Sequence, residues 1–174
     1  MKLIQIIRLL EADYFHGTTQ SSASKIEKDK KLFANMPKKS GGTRDEVGLI
    51  WVTSEKDLAK NYALGWEQMD HDEPGKIFKV KVPGDLKIID RHHKLSSEQA
   101  EILNGLSKRP HDPILPGMEL DRAMYKIMLH QDAPQSYAEI LPVLGYNALL
   151  YNKTHLGILK KELDILDAED VTKD

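Results

Sequence analysis

Cysteine is absent from the 174 residues, which removes disulfide scaffolds, cysteine zinc sites, thiol nucleophiles and iron–sulfur clusters. Neither charge sign is in excess: 25 Lys+Arg stand against 27 Asp+Glu, a formal net charge of -2. That balance argues against a protein living on the phosphate backbone of nucleic acid, while leaving room for a local basic patch. The lysine-rich stretch from Lys25 to Lys39 is interrupted by Glu27 and Asp29, and reads as a solvated helix and loop. No apolar run approaches the ~20 residues of a membrane span. The greasy start, Leu3 to Leu10, is broken by Gln5 and Arg8 and runs straight into Glu11, a poor secretory signal. Also missing are GxGxxG, a Walker loop, HExxH and GxSxG. What is there, 40% hydrophobic and 30% charged residues, is enough to fill one core of ordinary domain size. A single soluble domain in the cytoplasm is expected.

Periodicity supplies the elements. Leu3, Ile6, Ile7 and Leu10 recur at helical spacing. Tyr14-Phe15-His16 reads as a brief strand ended by Gly17, and Ser21 to Leu32 as a helix. Met36 to Glu46, with Pro37, Gly41 and Gly42, is a loop. Gly48 to Val52 is an apolar strand, followed by a helix through Ala63 opened by Ser54 and Asp57, a weak relative of the capping box. The stretch Gly65 to Gly75 is turn-rich. Ile77 to Val82 alternates apolar and charged residues, as a half-exposed strand should. Leu86 to Ile89 is a strand. Ser96 with Gln99 makes a capping box for a helix ending near Gly105. Pro110, Pro113 and Pro116 stiffen a connector that no helix crosses. Helices are expected over Asp121–Leu129 and Ser136–Leu144, with Gly145 past the helix end. Tyr146 to Tyr151 and Glu162 to Leu166 are the last strands. Helices and strands alternate irregularly, which favours an α+β domain over a doubly wound sheet.

Singly, the candidate residues say little. His92-His93 on one strand would point to opposite faces and reads as surface. His111, His130 and His155 have no ligand-spaced partner and read as structural or exposed. His16 alone fits a satisfied core histidine, Trp51 and Tyr62 fit core aromatics, and Glu162 fits a charge at a strand edge.

Taken in order, they resemble the ADP-ribosyltransferase family, in its His-Tyr-Glu branch of diphtheria-type toxins and poly(ADP-ribose) polymerases. The matching segments are Tyr14-Phe15-His16-Gly17-Thr18; Gly48-Leu49-Ile50-Trp51-Val52-Thr53-Ser54 with Ala59-Lys60-Asn61-Tyr62-Ala63; Gly145 to Tyr151; and Glu162-Leu163-Asp164-Ile165-Leu166-Asp167. The resemblance spans residues 14 to 167. It implies two packed mixed β-sheets flanked by helices, with a central NAD cleft. It also implies cleavage of NAD, as co-substrate, at the nicotinamide–ribose bond, with no metal.

Such cleavage creates an oxocarbenium-like sugar, as glycoside cleavage does, and a fixed carboxylate stabilises charge that appears in the transition state. The resemblance gives that role, and a bond to the ribose 2′-hydroxyl, to Glu162. It makes Tyr62 and Trp51 the aromatic slot for the cationic nicotinamide ring. His16 would bind a ribose hydroxyl on the adenosine side. The Gly17 backbone would pair with the nicotinamide amide, its missing Cβ permitting close approach, and Thr18 or Ser54 would add a hydroxyl contact. The catalytic set implied is thus Glu162, His16 and Tyr62. Trp51 stands where a tyrosine is usual, Ala59 where the polymerases carry a serine, and Lys160 where a Glu-x-Glu or Gln-x-Glu pair would begin. The last departure disfavours arginine modification, and nothing marks a site for polymer growth.

A mono-ADP-ribosyltransferase acting as a monomer is therefore expected. Its acceptor would be a protein first, a nucleic acid or small molecule second. Two alternatives stand beside it. One is the NAD-dependent RNA 2′-phosphotransferase branch, whose additional N-terminal lobe the 13 residues before Tyr14 do not supply. The other is a catalytically silent binding or packaged protein of the same fold. Leu9-Leu10-Glu11-Ala12 also resembles the sites that prohead proteases of tailed phages cleave. Residues 1–11 therefore read either as a cleavable leader, which implies packaging in a phage head and delivery to a host cytoplasm, or as an ordinary first helix on a domain of residues 12–174.

Overall fold

A computed structural model describes residues 12–34, 47–64, 75–106, 113–129 and 132–171. The leader or first helix of 1–11, the loop of 36–46, most of the turn-rich stretch after Gly65, and His111 and His130 lie outside the described residues. Eight strands are described: β1 (Tyr14–Thr18), β2 (Lys31–Phe33), β3 (Ile50–Thr53), β4 (Lys76–Val80), β5 (Ile88–Asp90), β6 (Ala148–Leu150), β7 (His155–Ile158) and β8 (Glu162–Asp170). The described helices are α1 (Gln20–Asp29), α2 (Lys56–Leu64), α3 (Ser97–Leu106), α4 (Leu120–Met128) and the single turn α5 (Tyr137–Ile140). The class is α+β, as expected.

The strands form one hydrogen-bonded order, β2-β8-β4-β1-β3-β7-β6-β5, where two separate sheets were expected. Only β5 and β6 run parallel; the other neighbours are antiparallel. The sheet is thinnest in its middle. β1 follows β4 from Tyr14–Val80 to Thr18–Lys76, and β3 follows β7 from Ile50–Ile158 to Thr53–His155. Between β1 and β3 one pair, Phe15 with Thr53, is in register.

Strand alternation sends neighbouring side chains to opposite faces, and both faces are covered. Tyr14, Phe78, Val80, Ile88, Ala148, Leu150, Leu156 and Leu163 build one core with Ala23 and Ile26 of α1. Leu49, Ile89 and Leu149 turn the other way, into a core filled by α3, α4 and α5. A small third cluster, Ala59, Ala63, Ile77 and Val171, lies under α2. So β4 is buried at both Ile77 and Phe78, where alternation in the sequence had suggested one solvent face. Burying each such side chain contributes about 1.5–3 kcal/mol.

Two strands escaped the periodicity. The helix expected through Leu32 stops at Asp29, because Lys30 adopts a left-handed conformation (φ 51°) and turns the chain into β2. β7 falls in the stretch between Tyr151 and Glu162, where no element was expected. Elsewhere local chemistry held. The Ser96–Gln99 capping box forms in both directions, Ser96 N–H to Gln99 Oε1 (3.0 Å) and Gln99 N–H to Ser96 Oγ (3.2 Å). Gly145 has the expected positive φ of 81°.

Candidate functional site

The thin seam between β1 and β3 opens into a cleft of about 380 Å³, within the range of small-molecule sites. Its walls are Phe15, His16 and Gly17 from β1, Trp51, Val52 and Thr53 from β3, Tyr62 from α2, and Tyr151, Asn152 and His155 from the β6–β7 turn. None of these lining residues is acidic.

Past Phe15 the two strands share no ladder, and a side chain bridges them instead. His16 Nδ1 donates to the Trp51 carbonyl at 2.9 Å. A carbonyl can only accept, so Nδ1 carries a proton, and in the neutral ring Nε2 keeps its lone pair. Burial pushes the His16 pKa below its ordinary value; the bond to Trp51 opposes that shift without reversing it. His16 is accordingly a neutral imidazole, a hydrogen-bond acceptor at Nε2.

Gly17 is fixed by the helix packed on β1. A Cβ there would lie 1.7 Å from the Ala59 carbonyl oxygen, so α2 itself requires the glycine. The closeness expected toward a ligand is a closeness to Ala59. The same tight approach holds Tyr62, one turn further along α2, over the cleft. Its side chain remains 40% exposed, and its ring stands edge-on to His155, centroids 6.2 Å apart. Trp51 packs edge-on against Tyr151 at 5.5 Å, and the Arg91 guanidinium sits 4.1 Å over the other ring of that pair, Tyr151. Room for the indole comes from Gly157, where a Cβ would be 2.9 Å from the Trp51 ring.

The structure thus brings His16, Gly17, Trp51 and Tyr62 into one cleft. It does not bring Thr18, Ser54 or Glu162 there. Thr18 ends β1 opposite Lys76. Ser54 is half-buried beyond β3, its N–H donating to the Thr154 carbonyl at 3.0 Å. Glu162 begins β8 in register with Phe33 of β2, and its carboxylate is ion-paired with Lys31. The β4 residue facing His16 is Phe78, and the β8 residue facing Phe78 is Ala168. Glu162 lies six residues before that point, roughly 20 Å along an extended strand.

Sequence reasoning missed Tyr151, Asn152 and His155. Asn152 Oδ1 accepts from Thr154 N–H (2.9 Å), Thr154 Oγ1 (3.2 Å), His155 N–H (2.8 Å) and His155 Nδ1 (2.9 Å). Such an Asx turn between the apolar runs 148–150 and 156–158 is a readable hairpin signal, and it was the one available. His155 was read as structural or exposed; the turn carries it into the cleft. His92 and His93 take different partners, Glu119 (3.2 Å) and Gln99 (3.0 Å).

No group of three or more His, Asp or Glu side chains able to hold a metal is found among the described residues. Nor is any described helix long and apolar enough to cross a membrane. Compared with protein-family models, curated proteins and solved structures, the chain matches none.

Proposed function

We propose that this chain is a mono-ADP-ribosyltransferase that cleaves NAD at the nicotinamide–ribose bond and passes ADP-ribose to an acceptor. The observation that carries the reading is the aromatic cleft at the β1–β3 seam, which gathers His16, Gly17, Trp51 and Tyr62 from three separate segments. Its chemistry suits the substrate. Nicotinamide in NAD is a flat cation, and rings offering π faces attract it. The unladdered edge of β1 beside Gly17 offers backbone groups to a carboxamide. The neutral His16 accepts a hydrogen bond from a ribose hydroxyl. Closing these groups around the nicotinamide–ribose half excludes water and strengthens each contact.

The reading is tested by incubating the protein with NAD labelled in its adenylate half and a cell lysate. Label on an acceptor and free nicotinamide are expected, and Tyr62→Ala reduces both more than tenfold. Neither label nor nicotinamide from the wild type would falsify the reading. A second reading, a silent protein of the same fold that binds nucleotide without reacting, is favoured by Glu162, which is paired with Lys31 outside the cleft. Glu162→Ala separates the cases. A loss of about 100-fold or more, the usual effect of removing a charge-stabilising group, would bring Glu162 into the chemistry; retained turnover leaves the reaction to the cleft residues.

A further inference from the structure

With Glu162 elsewhere and no acidic side chain among the lining residues, the cleft needs another group to take a proton. The β6–β7 turn supplies one. The two backbone N–H groups that Asn152 Oδ1 accepts identify that atom as oxygen, so the His155 Nδ1 bonded to it must be the protonated ring nitrogen. In the neutral ring, which burial favours, Nε2 keeps its lone pair. It is buried, with no hydrogen-bond partner among the described residues, while the ring it belongs to lines the cleft. Buried polar atoms are nearly always satisfied, and an unsatisfied nitrogen at a cleft wall is explained by a ligand that brings the donor.

We propose that His155 is a catalytic base of this cleft, its Nε2 taking the proton from the O–H or N–H group of the acceptor that attacks NAD. The proposal rests on the transferase reading. The acceptor's freed electron pair forms the new bond to the ribose anomeric carbon. The bond from that carbon to nicotinamide breaks, its electron pair passing to the ring nitrogen, which leaves neutral. The proton stays on the His155 imidazolium until water removes it. Asn152 is a positioning residue: its carboxamide oxygen holds the ring in the one tautomer that can act, and would stabilise the imidazolium by keeping the Nδ1 bond. Nε2 is closed to bulk water, so the proton transfer requires the cleft wall around the ring to shift as substrate enters. Burial pushes the His155 pKa down, Glu55 acting against it by charge, which keeps the base free at neutral pH. The other titratable groups on the cleft wall are His16, Tyr62 and Tyr151.

The test uses NAD with water as the acceptor, reading nicotinamide release by the full chain. His155→Gln is expected to lower kcat about 100-fold or more, in line with loss of a general base, with KM for NAD within threefold. His155→Ala falls equally and regains activity with added imidazole. Lys153→Ala, exposed in the same turn, controls for disturbance of the loop. In parallel, nitrogen NMR of the wild type with labelled histidine shows His155 unprotonated at Nε2 above pH 7. Wild-type turnover that survives His155→Gln, or a protonated Nε2 at that pH, overturns the base and leaves the transferase reading standing. A wild type that releases no nicotinamide and labels no acceptor overturns both. Should the glutamine variant fail to fold, imidazole rescue of His155→Ala and the NMR signature decide.

Discussion

Tyr14 carries a hydroxyl that has no hydrogen-bond partner among the described residues, although the side chain is buried in the main core. Burial alone pushes its pKa up to about 12. An unsatisfied buried hydroxyl costs about 1–3 kcal/mol, so Tyr14→Phe is expected to stabilise the fold by about 1 kcal/mol, read as a higher urea midpoint at unchanged m-value. Two other residues make stability depend on acid. His16 and His155 both titrate below the ordinary 6.5 in the folded chain. The unfolded chain therefore binds their protons more readily, and stability is full above about pH 6.5 and declines as pH falls below it. The melting temperature should hold between pH 8 and 7 and drop from pH 6.5 to 5. His16→Gln, which can keep a bond to the Trp51 carbonyl, should make that drop shallower; an unchanged acid limb would count against the buried neutral histidine.

At the level of elements, β1 packs against α2 so closely at Gly17 that no side chain fits there. Gly17→Ala would drive a methyl into the backbone of Ala59, with no flexible side chain to move aside. A loss of about 3 kcal/mol is expected by denaturant unfolding, at the upper end for overpacking. A milder case is α3, where Ser96→Ala removes a reciprocal cap and should cost about 1 kcal/mol. α3 and β3 were legible because their signals are local. The Ser96–Gln99 spacing announces a helix start, and the apolar run 49–52 announces β3. β2 was hidden because helical spacing continues through Lys31 and Leu32, and only the left-handed Lys30 ends α1. β7 was hidden because it is four residues long, contains Gly157, and is recognisable as a strand by its pairing with β3 and β6.

For the molecule as a whole, opposite charges meet at the surface and apolar groups fill both faces of the sheet. Lys76 with Glu27 (2.7 Å) and Asp170 (2.9 Å), Lys79 with Asp13 (2.8 Å), Lys31 with Glu162 and Lys56 with Glu169 tie the strands and helices of one side together. Exposed pairs of this kind are worth about 0–1 kcal/mol and are screened by salt. Raising sodium chloride from 0.05 to 1 M should thus change unfolding free energy by no more than about 1 kcal/mol, whereas a larger loss would mean the ion pairs carry the fold. Composition and periodicity by themselves determined the α+β class and most of the elements, because each rests on residues close in the chain; the short list holding His16, Gly17, Trp51 and Tyr62 came from the resemblance of short motifs to a known family. Which of those residues share a site was decided only by strand order. Placing β8 beyond β4 removed Glu162 from the cleft, and pairing β7 with β3 carried His155 into it. Pairings between strands distant in sequence depend on the burial of both sheet faces at once, a property of the assembled core that no local spacing records.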